Sequence, residues 1–426
     1  MNPRMTKMNI HRVLAALLAV LLLLTLVPAA FAVETAGECG DNVQWTLVGG
    51  RLTISGTGAM DNYSKNNPAP WFELRQEIRT VVIASGVTTV GSQAFYDCRN
   101  LTAVSMADSV SRINRYAFLE CVKLTQVSLS GALSVIGDSA FEGCTALSSI
   151  RLPGFLTEIG ERAFYRCESL GGITIPASVE IIGVSAFDTC YSLERVTFAE
   201  GSRLTSIGEY AFKNAQSLQQ ISLPASVEIV GKYAFCDCLV LESVTFAEGS
   251  QLESIGNSSF GLCKKLVNID LASLTNLKEI GINAFQDCSA LKSITIPETV
   301  TTIGLQAFTG CFGIETVHLP KTFTAEMLYS LDSAGKPVSM FGMMTTSSQV
   351  SKLKSITVDA ANPELQSIGG ILFDKPADAS KPNIIYCYPA SKTISGAYRI
   401  PASVTQIAAY AFMGYQGKTV TLPAGL

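Results

Sequence analysis

Histidine is almost missing from this chain, with two residues in 426. His11 falls in a leading segment that reads as a removable address, so only His318 is left to act as a base or a metal ligand. A Ser-His or Cys-His nucleophile would have to use that one ring, and a zinc site would need carboxylates and thiols instead. Paired metal-binding histidines, phosphate-cradling glycine loops and dinucleotide fingerprints are missing as well. These gaps predict a chain that is not an enzyme and takes neither cofactor nor metal. Charge is also scarce, at 15% of residues, and no cluster of Lys and Arg follows residue 32, which argues against nucleic acid as a partner. Tryptophan occurs twice, and after the leading segment no apolar run is long enough to span a bilayer.

The leading segment is positively charged at Arg4, Lys7 and Arg12, then apolar from 13 to 27 except at Thr25, then small at Ala30 and Ala32. That is the pattern of a secretory signal peptide over 1–32, with cleavage after Ala32. Val33 rather than Cys follows, so no lipid anchor is expected there, and the predicted location is outside the cell or at its surface. Removal takes three of the 31 basic residues and none of the 35 acidic ones, which leaves a mildly acidic balance of −7.

Self-similarity dominates the remainder. A Phe preceded by a small residue recurs at Phe95, Phe118, Phe141, Phe164, Phe187, Phe212, Phe235, Phe260, Phe285 and Phe308, in steps of 23 or 25 residues, and returns at Phe412. Longer steps coincide with small insertions such as Phe198-Ala-Glu-Gly-Ser-Arg-Leu204 and Phe246-Ala-Glu-Gly-Ser-Gln-Leu252. Four residues before each Phe stands Gly, except for Asn114 and Ala408. Asn tolerates positive φ best among the other residues, so this position is predicted to be a left-handed corner. Alternating segments such as Leu147-Ser-Ser-Ile-Arg-Leu152 predict one short strand per repeat, and Val-x-x-Ile-Gly predicts a second extended piece. The compact Ala-Phe-x-x-Cys stretch is predicted to be a helical or 3-10 turn. One repeat cannot bury its apolar side alone. The reading is a curved rod of stacked 23–25-residue rungs with strands pairing in parallel at a spacing of about 4.8 Å.

The pattern resembles the BspA-like family of leucine-rich repeats, bacterial secreted or surface proteins. Ile294-Thr-Ile-Pro-Glu-Thr-Val300, Ile303-Gly304 and Ala307-Phe308-Thr-Gly-Cys311 carry the likeness, which covers 79 to 320 and returns at 399 to 423. It implies a leucine-rich-repeat solenoid that binds host matrix proteins, host cells or other bacteria, with extracellular proteins or cell-surface components as partners. The other reading is a structural spacer holding an active module beyond Leu426.

Around the regular repeats at 79–320 the chain changes character. Residues 33–78 contain Cys39-Gly-Asp-Asn-Val-Gln-Trp45 and Pro70-Trp71-Phe72, read as a β-rich N-terminal cap, or as an aromatic platform for sugars or peptides. Residues 321–352 break the period and include Met340, Phe341, Met343 and Met344, either an adaptable contact surface or irregular packing. Residues 353–426 resume the repeats, and Ser367-Ile-Gly-Gly-Ile-Leu-Phe373 with Ile384-Ile-Tyr-Cys-Tyr-Pro389 predicts a hairpin that widens one rung. The segment 421–426 stops partway through a unit, so an incomplete final rung and self-association through that end are expected.

Nine of the twelve cysteines occupy one slot of the repeat, and Ala215 fills it in the rung of Phe212. Side-by-side thiols on parallel rungs lack converging Cβ vectors, so they are predicted to be buried and unpaired rather than bridged. Cys39, Cys236 and Cys387 fall outside this slot, and Cys236 is the predicted exposed thiol. Alternation also predicts two outward rows on the strands. One runs Ser105, Ser128, Arg151, Thr174, Thr197, Ser222, Thr245, Asp270, Thr295, His318; the other runs Ala103, Gln126, Ser149, Gly172, Arg195, Gln220, Ser243, Asn268, Ser293, Thr316. With no aromatic residue in either, this face suits weak contacts summed over many rungs. The candidate binding residues are Arg151, Arg195, Asp270, His318 and the Met-rich group 340–344.

Overall fold

The computed structural model describes residues 35–331, 337–340 and 351–426; the leading segment, its cleavage site, Phe341, Met343 and Met344 lie outside them. The chain winds into a parallel-strand solenoid. One rung shows the logic: Gly172–Ile175 is extended, with Ile173 and Ile175 inward and Thr174 outward. Pro176 then turns the chain into the two-residue strand Ile181–Ile182, and a compact segment around Phe187 leads to the next extended piece, Arg195–Phe198. The two long strands pair in parallel as Gly172↔Arg195, Ile173↔Val196, Thr174↔Thr197 and Ile175↔Phe198. The short strands build a single eleven-stranded sheet from Gly58–Ala59 to Thr302–Ile303. The long strands instead fall into separate sheets, with breaks between the rungs of Gln126 and Ser149, of Phe198 and Gln220, and of Ile269 and Ser293.

Phenylalanine forms the axis. From Phe95 to Phe308 the rings stack at centroid spacings of 5.0 to 5.5 Å, nearly parallel, and each is fully buried. That spacing is close to the distance between paired strands, so one rung delivers one ring. Each buried Phe contributes on the order of 2–3 kcal/mol of apolar transfer. Its amide donates across to the next rung's small residue, as Phe187 N–H does to Ala211 O at 2.8 Å.

Two local expectations are corrected here. The Ala-Phe-x-x-Cys stretch is not a helical turn; among the described residues 3-10 helix occurs only at Phe72–Leu74, Leu271–Ser273 and Ala325–Leu328. It is a chain of tight turns in which amides alternate: Phe95 and Asp97 donate to Ala117 and Leu119 of the next rung, while Tyr96 and Cys98 donate back to Gln93 and Phe95. The glycine four before Phe is not left-handed either. Positive φ falls two residues before and two after Phe, for example at Ser185 (53°) and Thr189 (64°). Glycine is needed for closeness: a Cβ on Gly183 would lie 2.6 Å from the Gly160 carbonyl carbon of the preceding rung. Asn114 also has ordinary φ, and its side-chain Nδ2–H donates to Asn62 Oδ1 at 2.8 Å.

At the first-rung end, Ala36–Gly40, Val43–Val48 and Arg51–Gly56 form an antiparallel ribbon that joins Thr80–Ile83 in parallel. Trp71 stacks on Phe95 at 5.7 Å and meets Trp45 edge-on at 5.6 Å. Both indoles are buried, so neither offers a face to a sugar. Beyond Phe308 one rung is enlarged: Thr316–Leu319 pairs directly with Ser355–Val358. Phe308 N–H donates to Met340 O, the bond that Phe285 makes to Ala307. Met340 thus stands in the small-residue slot and is buried in the core rather than exposed as a contact residue. The pairing expected between 367–373 and 384–389 forms in part, Ile371–Asp374 lying antiparallel to Ile384–Cys387, but the chain also turns at Gly369-Gly370, so Leu365–Ile368 and Ile371–Asp374 make a hairpin of their own. A smaller second core of Ile371, Phe373, Ile385, Tyr388, Ile400 and Val404 packs there, with Phe412 half-buried against it.

Candidate functional site: the exposed strand face

The two outward rows fall in register as their alternation requires. Gln220, Ser243 and Asn268 align across three rungs, and Thr295, His318 and Thr357 across another three. Nearly all of these side chains are exposed or half-buried, with aliphatic neighbours pointing inward. Their mutual bonds run along the row: Thr174 and Thr197 share a hydroxyl contact of 2.8 Å.

The predicted site residues do not converge on one centre. His318 Nδ1 lies 2.9 Å from Thr357 Oγ1, a hydroxyl that also donates to Val317 O, and no nucleophile–base–orienter set surrounds it. Asp270 caps a short 3-10 turn by accepting the Ser273 amide, which gives it a local structural task. Arg151 and Arg195, by contrast, line the same open groove of about 900 Å3 on three consecutive rungs, together with Ser149, Gly172, Thr174 and Thr197. Neither guanidinium makes an ion pair or side-chain hydrogen bond among the described residues. No group of His, Cys, Asp and Glu suited to a metal occurs among the described residues.

The cysteines are all free thiols and all but Cys387 are buried. From Cys121 onward those of the ladder point back one rung and donate to the phenylalanine carbonyl there: Cys121 to Phe95 at 3.1 Å, Cys167 to Phe141 at 3.3 Å, Cys311 to Phe285 at 3.0 Å. Burial pushes Cys98 up to about 12, with Asp97 adding to it. Cys236 is buried too, a correction to its expected exposure. The next rung passes over it, Gly261 presenting no side chain there, and burial followed by Asp237 pushes its thiol up to about 11. No thiol in the ladder is placed for nucleophilic work, which needs a lowered pKa and access.

The strand rows hold no aromatic residue, whereas the turn edge does. Tyr210 and Tyr233 stack at 5.0 Å and the Arg162 guanidinium sits 4.1 Å over the Tyr165 ring. The signal lay in the positions two before and one after each Phe, which the strand alternation does not address.

This architecture defines a leucine-rich-repeat solenoid. The description of a BspA type Leucine rich repeat region matches residues 69–194 and 205–330, in six copies, and the chain belongs to that family. A search of curated proteins finds no match. Among solved structures it is similar to a leucine-rich repeat protein from Eubacterium ventriosum, at 24% identity over 70% of this chain and 98% of that one, TM-score 0.39. It is also similar to a leucine rich cell surface protein from Faecalibacterium prausnitzii, at 22% identity over 76% of this chain and 95% of that one, TM-score 0.40. The pneumococcal vaccine antigen PcpA is 18% identical over 90% of this chain and 98% of that one, TM-score 0.38.

Proposed function

We propose that this chain is an exported, non-catalytic interaction protein that binds cell-surface or extracellular components through its strand face. The observation that carries the reading is the in-register hydroxyl-rich surface, repeated rung after rung with its aliphatic half buried. Such a surface offers the same weak contact many times, and linked contacts add through effective concentration. Export is supported by the sequence of residues 1–32, and no helix among the described residues is long and apolar enough to cross a membrane. The sole histidine outside the leading segment is tied to Thr357 and belongs to no catalytic constellation.

The test is binding of the purified chain to intact cells and matrix proteins, beside an unrelated solenoid. Binding should fall at least tenfold when strand-face residues are replaced in two distant rungs, as in Thr197→Lys with Thr295→Lys. It should persist after Tyr165→Ala on the turn edge. Equal loss from the turn-edge change, or no binding above the unrelated solenoid, defeats the reading.

A further inference from the structure

Resting on the strand face as the binding surface, we infer that the groove between Arg151 and Arg195 takes an acidic polysaccharide, gripping uronate carboxylates with the two guanidinium groups. Ser149, Gly172 and Arg195 align across three rungs in one row, while Thr174 and Thr197 align in the next with Arg151 on the rung before them. The arginines therefore stand at opposite corners of a small rectangle, about 12 Å apart along its diagonal from strand and residue spacings. Gly172 and Thr174 occupy the rung between.

The glycines of that middle rung carry the argument. Neither Gly171 nor Gly172 has positive φ, and an added Cβ would meet nothing closer than 3.5 Å at Gly172 or 3.9 Å at Gly171. Packing does not require glycine at either position, unlike Gly183 on the opposite edge. Glycine inside a strand weakens it, and where the fold does not ask for it, it marks a place of close approach to the backbone. The result is a notch one side chain deep, with a basic residue at each end.

The lining then selects the occupant. Planar guanidinium groups match carboxylates with two parallel hydrogen bonds. The lining between them holds no aromatic residue: the glycine backbone and the hydroxyls of Ser149, Thr174 and Thr197 lie beside the edges of Ile150, Ile173 and Pro176, a mixed polar and aliphatic surface of the kind a sugar ring presents. The ladder is interrupted on both sides of these rungs, before Ser149 and after Phe198, so exclusion of a peptide rests on the lining and is decided by the poly-glutamate arm of the test. Glu194 also lines the groove, leaving one net positive charge, which suits a chain with spaced carboxylates rather than a dense anion.

The experiment uses the intact chain with polygalacturonate, the same polymer fully methyl-esterified, and poly-glutamate, at about 0.1 M salt. Polygalacturonate should bind at least tenfold better than the ester or poly-glutamate. Arg151→Gln with Arg195→Gln should lose at least tenfold. Gly172→Val should abolish binding while leaving thermal stability equal or higher, because the strand gains a β-branched residue with room for it. If that variant misfolds, Arg195→Gln alone, at an exposed side chain, decides the matter. Equal binding of the ester, equal binding of poly-glutamate, or an unaffected double arginine variant overturns the inference. Cell binding that survives the arginine variants but not Thr197→Lys with Thr295→Lys would sink this groove and leave the strand-face reading standing.

Discussion

The thiol of Cys144 donates to the carbonyl of Phe118, 3.3 Å away in the preceding rung. The same carbonyl accepts the amide of Cys121, so the phenylalanine turn is tied both within its rung and to the next. The cysteine slot is therefore a small apolar filler that also carries a donor. Ala215 shows the alternative: Phe187 O keeps the Cys190 amide and lacks a thiol.

Replacing Cys144 by Ala should accordingly cost about 1 kcal/mol, from one weak hydrogen bond and a small void. Cys144→Ser should retain a donor yet bury a more polar group. Native-state hydrogen exchange of the amides of Cys121 and Cys144 measures the loss, since repeat arrays open locally. Protection unchanged in the Ala variant would mean that the thiol contact contributes nothing.

The buried thiols also set a pH dependence. Burial raises Cys39 and Cys98 to about 12, so the folded chain keeps them neutral while the unfolded chain ionises them near the ordinary thiol value of 9.0. Their stabilising contribution is complete below that value and is lost as pH rises from about 9 towards 12. Denaturation midpoints should be flat from pH 7 to 8 and then fall. Changing several ladder cysteines to Ala should flatten the decline. At pH 8, alkylation without denaturant should spare the ladder and Cys236.

Leaving the pillar intact, two substitutions separate the two backbone requirements that one letter had hidden. Gly183→Ala puts a methyl group against the backbone of Gly160 and should destabilise by about 1–3 kcal/mol, as overpacking does. Ser185→Gly, at a left-handed residue, should stabilise by up to about 1 kcal/mol by relieving the αL penalty. Hydrogen exchange in the flanking rungs reads both signs. Opposite signs to these would restore the glycine as the corner.

Those positions also show what the sequence could reveal. The period, the inward phenylalanines and the strand rows were legible because each follows from spacing or alternation alone; the pairing of 367–373 with 384–389 was legible only in part, since the turn at Gly369-Gly370 splits the first segment into two strands. Glycine was misassigned because positive φ and close backbone approach select the same residue. Two residues before Phe the left-handed position carries Gln93, Tyr116, Arg162 or Tyr233, so no residue type betrays it there and cross-rung hydrogen bonding enforces the conformation; two after Phe, Asp97, Gly143, Asn214, Asp237, Asp287 and Gly310 are types that tolerate it, a signal the repeat spacing alone did not single out. At Met340 the packing reading holds and the contact reading does not, though its slot was hidden because a larger residue fills the alanine place of an enlarged rung; Cys236 was misplaced because its cover comes from Gly261 of the following rung. The grouping of Arg151 with Arg195 needed the register, which places them across a bare middle rung.

The pillar makes the sharpest mechanical prediction. Phe212 lies between Phe187 and Phe235 at 5.2 and 5.3 Å and is fully buried. Phe212→Ala should cost about 3–5 kcal/mol, the range for a core aromatic. Because solenoid stability is a sum of rungs and their interfaces, that loss falls on two interfaces at once and should divide the rod there. Limited proteolysis should then cut in the exposed loop at Glu200 and Gly201, leaving two protected pieces. Phe412→Ala removes a half-buried ring from the smaller second core, so it should loosen only the C-terminal rungs and leave the loop at 200–201 uncut. Cleavage at that loop in both variants would show that the stacked rings act as one cooperative block, against the rung-by-rung account.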